Sequence, residues 1–447
     1  MNKHVSDFLR EVCMQVKYKK IHGELAVELQ EHIHELMEEY IEQGLDQDEA
    51  AQKAVEHMGN PIEIGKGLHK THRPKTEWSI IVLISILVVS GGFVLYSIAS
   101  ANTMALTLER FYKSYFLYAT LGIGVGGLCF FFDYNRLEKY SLHIFVGALL
   151  LLYAGPWFPK VNGLPYFIIG SFNIKPVSIV LPFFLIAFAG LLKKWGTGDI
   201  KNMVKILGLS ITAVFGCMLQ PSFATALILG TGFAVMITTA IMDKSFTGNR
   251  KSFYLSIYGG GSAGLLLLSI FLIGTSKYRY HRLLAFLNPK ADPMGVGYQN
   301  TVLEKLLASA KFWGRGDEIN LFGHTTDTFV LPGLNSEFVF TYMVSSFGWV
   351  VGVLLIGVVV LTVLRMFSAT RKIHSTYGKY VSIAVVTVFM LQAMANILMN
   401  LGLFPLLGIS LPFISYGGAN FVSNMALFGL LLGIYRRKDL ISNRTYV

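Results

Sequence analysis

Hydrophobic and polar positions divide the chain into two regimes. Up to Glu77 apolar residues recur at three- and four-residue spacing among charges, whereas from Trp78 onward they run together in long blocks parted by short polar segments. In the first regime Leu25, Leu29, Ile33, Leu36, Met37 and Tyr40 make one apolar stripe on a helix whose Glu-rich remainder faces water. Asp46 and Asp48 with Glu49 mark the start of another helix, and Gly59-Asn60-Pro61 marks a break before a last one. The second regime holds apolar blocks at 78–98, 114–132, 141–158, 176–192, 206–220, 222–242, 253–274, 338–364, 380–399 and 412–435. A bilayer core about 30 Å thick needs ~20 apolar residues per helix. The blocks lack the alternation of a membrane barrel, and a lone strand leaves its backbone unpaired in hydrocarbon, so helices are expected. The predicted fold is therefore all-α and polytopic, with about ten membrane spans over 78–447. A small helical domain over 1–77 precedes them, and a long loop over 275–337 joins spans 7 and 8.

Composition narrows the class. Apolar and aromatic residues make up 53% of the chain and charged ones 15%, against about a quarter charged in soluble domains, which excludes an ordinary soluble protein. The same figures exclude disorder, which needs low hydrophobicity. The formal charge of +11 is unevenly spread: residues 1–77 hold 10 Lys/Arg and 15 Asp/Glu, while the rest carry 28 basic and 12 acidic groups. A basic excess confined to membrane loops is a topogenic signal. With the N-terminus cytoplasmic, inner segments hold 27 of the 38 Lys and Arg, and seven of the outer ones fall in the long loop, where the charge rule is weak. Both termini are thus expected in the cytoplasm and the 275–337 loop outside the cell. No basic stripe interleaved with aromatics occurs in the soluble part, so no nucleic-acid partner is expected.

Several motifs carry little. Cys13, Cys129 and Cys217 lie far apart and read as small hydrophobes. The charged N-terminus is not a signal peptide. His32 and His34 beside Glu35 and Glu38 sit two residues apart, on different helix faces, and read as solvated surface rather than metal ligands. Gly122 to Gly127 matches GxGxxG but lies in an apolar block, where small residues let helices approach; the same holds for 259–264.

Candidate chemistry concentrates in two segments. In the long loop, "HRLLAFLNPKADPMGVGYQ" places Arg282, Lys290 and Asp292 among turn residues, followed by Tyr298 and Gln299, with Glu337 at the entry to the eighth block. The other segment, "GISLPFISYGGANF", interrupts apolar helix with Pro412, Ser415, Tyr416, Gly417 and Gly418. Broken helix at membrane depth survives only where it is buried in protein or lines a cavity. A polar cavity at the outer leaflet is therefore expected. By itself Asp292-Pro followed by Gly also reads as a turn.

"LPFISYGG" at 411–418, "VNGLPYFIIGSFNIKP" at 161–176, "FLNPKADPMGVGYQ" at 286–299 and "QAMANILMN" at 392–400 together resemble the SEDS family of bacterial shape, elongation, division and sporulation proteins. The likeness runs from about 78 to 440 and leaves out the N-terminal domain. That domain, in "HMGNPIEIGKGL", resembles the helical prefix of some bacterial permease-like proteins and suggests docking or regulation. The SEDS resemblance implies a peptidoglycan glycosyltransferase in the bacterial cytoplasmic membrane, extending glycan strands from lipid II with a class B penicillin-binding protein as partner. It puts the essential loop carboxylate at Asp292, as general base for the acceptor hydroxyl. The departing lipid diphosphate needs its charge matched by Lys, Arg or a divalent cation, Mg or Mn. No organic cofactor is implied. Arg282, Lys290, Tyr298, Gln299, Glu337, Ser415, Tyr416, Gly417 and Gly418 are the expected substrate contacts.

The sequence departs from the family where charges are usual. Ser178 and Leu181 replace an acid and a lysine, Ser222 replaces an aspartate, and Ser345-Ser346 replace paired acids, while Glu337 keeps a carboxylate. Lys175 is a candidate to restore a cation at the cavity mouth. A catalytically silent regulator or precursor binder, and a lipid flippase or transporter, are the competing readings.

Overall fold

The computed structural model describes residues 2–101, 106–161, 164–169, 172–196, 199–220, 222–243, 255, 259, 277–321, 324–326 and 331–439. Its contacts divide the chain into two compact units, Met1–Thr76 with Tyr435–Val447, and Glu77–Ile434.

The first unit contains α1 (Lys3–Gln15), α2 (His22–Glu42), α3 (Gln47–Met58) and α4 (Pro61–His72). Its core joins Val5, Phe8, Leu9 and Val12 of α1 to Leu29 and Ile33 of α2 and to Ala51 and Ala54 of α3, with Leu36, Met37 and Tyr40 packed at the edge. The stripe on α2 is therefore the face that folding buries. Asn2 and Asn60 cap α1 and α4 by accepting the amides of His4 and Ile62, and Gly59 takes φ 90°, a conformation costly for other residues. Lys75 Nζ lies 3.4 Å from Asp439 Oδ2, within the same unit. His32 and His34 pair with Glu35 and Glu38 along the exposed face of α2.

Among the described residues the second unit holds eight helices long and apolar enough to cross a membrane. These are α5 (Trp78–Ser100), α6 (Leu108–Phe131), α9 (Pro176–Trp195), α10 (Ile200–Leu219), α11 (Phe223–Met242), α15 (Trp349–Arg371), α16 (Thr376–Asn400) and α17 (Gly418–Arg436). Between them lie the short α7 (Asn135–Lys139), the apolar α8 (Ser141–Tyr153), and α12 (Lys277–Leu287), α13 (Tyr298–Ser309) and α14 (Val339–Phe347). The described residues also form three small antiparallel hairpins: β1–β2 (Lys160–Val161, Leu164–Pro165), β3–β4 (Phe167–Ile169, Phe172–Ile174) and β5–β6 (Ile319–Leu321, His324–Thr326). The apolar block expected at 253–274, with the glycines at 260–264, lies outside the described residues.

Three expected spans are redrawn, and the first, 141–158, holds only the 13-residue α8, too short to stand among the eight. The block 338–364 is two helices, because Gly348 at φ 97° breaks it, and the amides of Trp349 and Val350 turn to the carbonyls of Lys311 and Phe312. The nine residues of α14 are thus a buried wedge, and α15 alone is long enough to cross. The last span begins at Gly418, leaving 401–417 irregular.

Aromatic packing centres the bundle on α9, α11 and α16. Phe188 stacks on Phe233 at 4.0 Å, and Phe145 of α8 meets Phe184 edge-on at 5.1 Å. At one end, Glu138 pairs with Lys193 (2.8 Å) and Asp243 with Lys379 (3.0 Å). The glycines of α6 permit contact with α17: a Cβ on Gly126 would meet Met425 O at 3.0 Å, and one on Gly429 would strike the Gly126 backbone. The GxGxxG string is a packing surface. Gly429→Val is expected to cost at least about 1–3 kcal/mol, the range for overpacking, read as a lowered melting temperature in detergent.

Candidate functional site

The irregular segment 401–417 lies where α16 ends and α17 begins, and asparagines on α16 hold it. Asn396 and Asn400 are four residues apart, so they share a helix face. Asn396 Nδ2 donates to Glu337 O (2.8 Å) and Ile409 O (2.7 Å). Asn400 Nδ2 donates to the same Glu337 carbonyl (2.9 Å), while its Oδ1 accepts from Thr341 N (3.2 Å) and Thr341 Oγ1 (2.8 Å). Two otherwise separate loops, 331–338 and 401–417, are thereby pinned to one helix. Tyr416 N adds a bond to Asn335 O (2.7 Å), and Leu411 N donates to Ser415 Oγ (2.8 Å). Phe413 is held at φ 66°, a rare conformation for a non-glycine residue and a form of local strain that clusters at functional sites.

Glu337 sits at the centre of this arrangement. Burial pushes its carboxyl above the ordinary range, while Arg282 and then Lys175 pull it back by charge. Arg282 Nη1 also donates to Leu406 O (2.9 Å), fastening α12 to the irregular segment. Gly408, at φ 71°, packs against the carboxylate, since a Cβ there would lie 3.0 Å from Glu337 Oε1. Lys175, just before α9, also faces the Tyr166 ring at 5.9 Å. The structure thus brings Arg282 and Glu337 to the same irregular segment, at Leu406 O and Gly408, while Lys175 stays exposed just before α9.

Beside the broken segment is a small open hollow, lined by Leu95 of α5, Tyr115 and Tyr118 of α6, Phe421 of α17 and Ser415 to Gly418. Gly418 lies flat on the Tyr118 ring, where a Cβ would clash. Most of the apolar window of α6 is unburied, so the hollow opens on a lipid-facing helix.

The remaining expected residues lie on the loop. Asp292 is exposed, and its carboxylate accepts the amides of Gly295 (Oδ1, 2.9 Å) and Val296 (Oδ2, 3.2 Å), closing its own turn. Among the described residues no hydrogen bond or ion pair joins it to Glu337. Lys290 is exposed next to it; Tyr298 and Gln299 begin α13, half-buried. The residues standing in the usual charged slots are packed or bonded: Leu181 is 6% exposed, Ser178 O accepts from Ser423 Oγ, Ser222 Oγ bonds Thr225 Oγ1 and Ser345 Oγ bonds Tyr342 O. Among the described residues no three His, Cys, Asp or Glu side chains gather as metal ligands. The pinning role of Asn396 and Asn400 was not anticipated, although their spacing in "QAMANILMN" already placed them on one face.

Residues 77–440 match the model of the family described as cell cycle protein, that of FtsW, RodA and SpoVE. Stage V sporulation protein E of Bacillus subtilis is 29% identical over 373 residues, covering 80% of this chain and 96% of that protein. A Trichlorobacter lovleyi protein named "Probable peptidoglycan glycosyltransferase FtsW" is 26% identical, covering 80% of this chain and 93% of its own. Among solved structures, a chain from work on "structural coordination of polymerization and crosslinking by a peptidoglycan synthase complex" superposes with TM-score 0.65 at 22% identity, over 81% of this chain and 98% of that one. The rod shape determining protein RodA of Thermus thermophilus gives 0.57 at 20% identity, over 81% and 97%. At these identities the superpositions establish a shared fold.

Proposed function

Because the chain belongs to the FtsW, RodA and SpoVE family of cell cycle proteins, we propose that it is a peptidoglycan glycosyltransferase polymerising lipid II at the outer face of the bacterial cytoplasmic membrane. The observation that carries this reading is that Arg282, through Leu406 O, and the hollow at Ser415 to Gly418 share one irregular segment, 401–417. A substrate with a diphosphate head and a long apolar tail needs both.

In this scheme the acceptor 4-hydroxyl gives its proton to Asp292 as it attacks C1 of the donor, and the bond from C1 to the diphosphate oxygen breaks. Arg282 and Lys175 balance the charge that develops on the departing diphosphate, so no general acid is required. Exposure of Asp292 suits this role, since a growing glycan strand arrives from the aqueous side. The described residues form no cage for Mg or Mn, and no step is assigned to a metal. A class B penicillin-binding protein is the proposed partner. Both ends of the membrane domain lie on the cytoplasmic side in this reading, which the distribution of Lys and Arg supports.

A catalytically silent relative is the second reading, favoured by the packing of Leu181 where the family usually carries a charge. Full-length protein reconstituted with labelled lipid II, with and without a class B penicillin-binding protein, decides between them. A ladder of glycan products on a gel is expected. Lipid II binding without polymer supports the silent relative, and movement of lipid across vesicles without polymer supports a transporter.

A further inference from the structure

Phe312 and Trp313, in the turn between α13 and β5, are 80% and 70% exposed. Bulky apolar neighbours of this kind are normally folded inward or covered by a partner. Here the backbone holds them outward. Gly314 N donates to Phe347 O (3.1 Å) and Gly316 N to Ser345 O (2.8 Å), while Trp349 N and Val350 N donate back to Lys311 O (3.0 Å) and Phe312 O (3.2 Å). These bonds clamp the turn to the break between α14 and α15. Gly348 permits the approach, since a Cβ there would lie 2.7 Å from Phe312 O. Lys311 Nζ meets Asp317 Oδ1 at 2.6 Å and closes the base of the turn. None of these bonds uses the ring of Phe312 or Trp313.

The clamp also fixes how deep the rings sit. The 23 residues of α15, at ~1.5 Å each, span ~35 Å, a little more than a hydrocarbon core of about 30 Å. Its first turn therefore stands in the interface between lipid and water. Apolar side chains open to lipid follow at once, with Val353 and Leu354 each 62% exposed. Because Phe312 is bonded to Val350, the aromatic pair lies at the level of that first turn. Aromatic rings are favoured at this depth, where the body meets acyl chains and the indole N–H stays hydrated. Arg315, exposed just beyond the pair, brings a cation to headgroup level. We propose that Phe312 and Trp313 are a membrane anchor, inserted among the phospholipids of the leaflet in which α15 begins. The lipid-exposed part of α15 starts within one turn of the bonds that hold the pair, which argues for lipid as its occupant. The anchor ties the base of the long loop to the headgroup level, where a lipid-linked sugar is presented, and it does so whether or not the chain polymerises.

The test is tryptophan fluorescence of the full-length protein in nanodiscs of phosphatidylethanolamine and phosphatidylglycerol, with and without phospholipid brominated high on the acyl chain. The Trp313 share of the emission is the native signal minus that of Trp313→Phe, a substitution that leaves every bond of the clamp in place. Bromolipid is expected to quench at least about half of that share, as for an indole in the interface, and aqueous iodide to quench less of it than bromolipid does. Phe312→Trp adds a second reporter at the same depth, and its extra emission is expected to respond in the same way; it replaces the difference measurement if Trp313→Phe does not fold. Iodide quenching that exceeds bromolipid quenching overturns the proposal. So does a Trp313 share that only an added class B penicillin-binding protein shields from iodide, which would make the pair a protein contact.

Discussion

Asp292→Asn abolishes polymer formation, with an expected loss of about 10²- to 10⁴-fold, the usual contribution of a positioned general base. The substitution is chosen for what it leaves intact. Asp292 Oδ1 accepts the Gly295 amide and Oδ2 the Val296 amide; the asparagine amide keeps one acceptor for this turn but has no charge to take a proton. Glycines close the same turn: a Cβ on Gly297 would collide with Pro289 O, and one on Gly295 with the Asp292 carboxylate itself. Asp292→Ala removes base and turn together and is expected to be at least as inactive. The comparison therefore separates chemistry from loop shape. Product yield within about threefold of native for Asp292→Asn, measured as glycan formed from lipid II, would leave Asp292 only its turn.

Asn400→Leu is the second large effect, and it acts on folding as well as activity. Leucine is close in volume but supplies no hydrogen bonds. Its introduction strands Thr341 N and Thr341 Oγ1, both served by Asn400 Oδ1, and removes one of the two donors to Glu337 O. Thr341 and Asn400 are fully buried, so water does not replace the lost partner. Each buried group left unpaired costs about 1–3 kcal/mol, which puts the total at roughly 2–5 kcal/mol. A lower unfolding temperature in detergent and at least tenfold less polymer per folded molecule are expected. The second effect follows because α14 and the 331–338 loop carry Glu337. A variant with native melting and native polymerisation would show that the asparagine pins are dispensable.

The contrast between the two residues indicates how much of the site could be read from sequence. The turn at Asp292 was legible because turn chemistry in "FLNPKADPMGVGYQ" is local, its geometry being set by residues within five positions of it. Asn400 was part of a quoted motif, but nothing in the string told which carbonyls it would reach. Its partners, Glu337 and Thr341, lie about sixty residues away. Lys175 was a candidate from its place near the lost lysine slot, and the structure sets it exposed just before α9, facing the Tyr166 ring. The block at 338–364 misled because hydropathy averages over a window and is blind to one glycine at φ 97°.

Hydrophobic patterning by itself determined the α-helical membrane architecture, the amphipathic stripe of α2 and the separation of a charged N-terminal part. These are local or one-dimensional properties, since a bilayer selects for apolar length and a small core selects for period. Tertiary structure alone decided that α14 is a buried wedge, that the glycines of α6 receive α17, and that Arg282 and Glu337 reach the same irregular segment. The reason is physical: burial, charge compensation and close backbone approach are pairwise properties of residues remote in the chain, and no single stretch of sequence contains both partners.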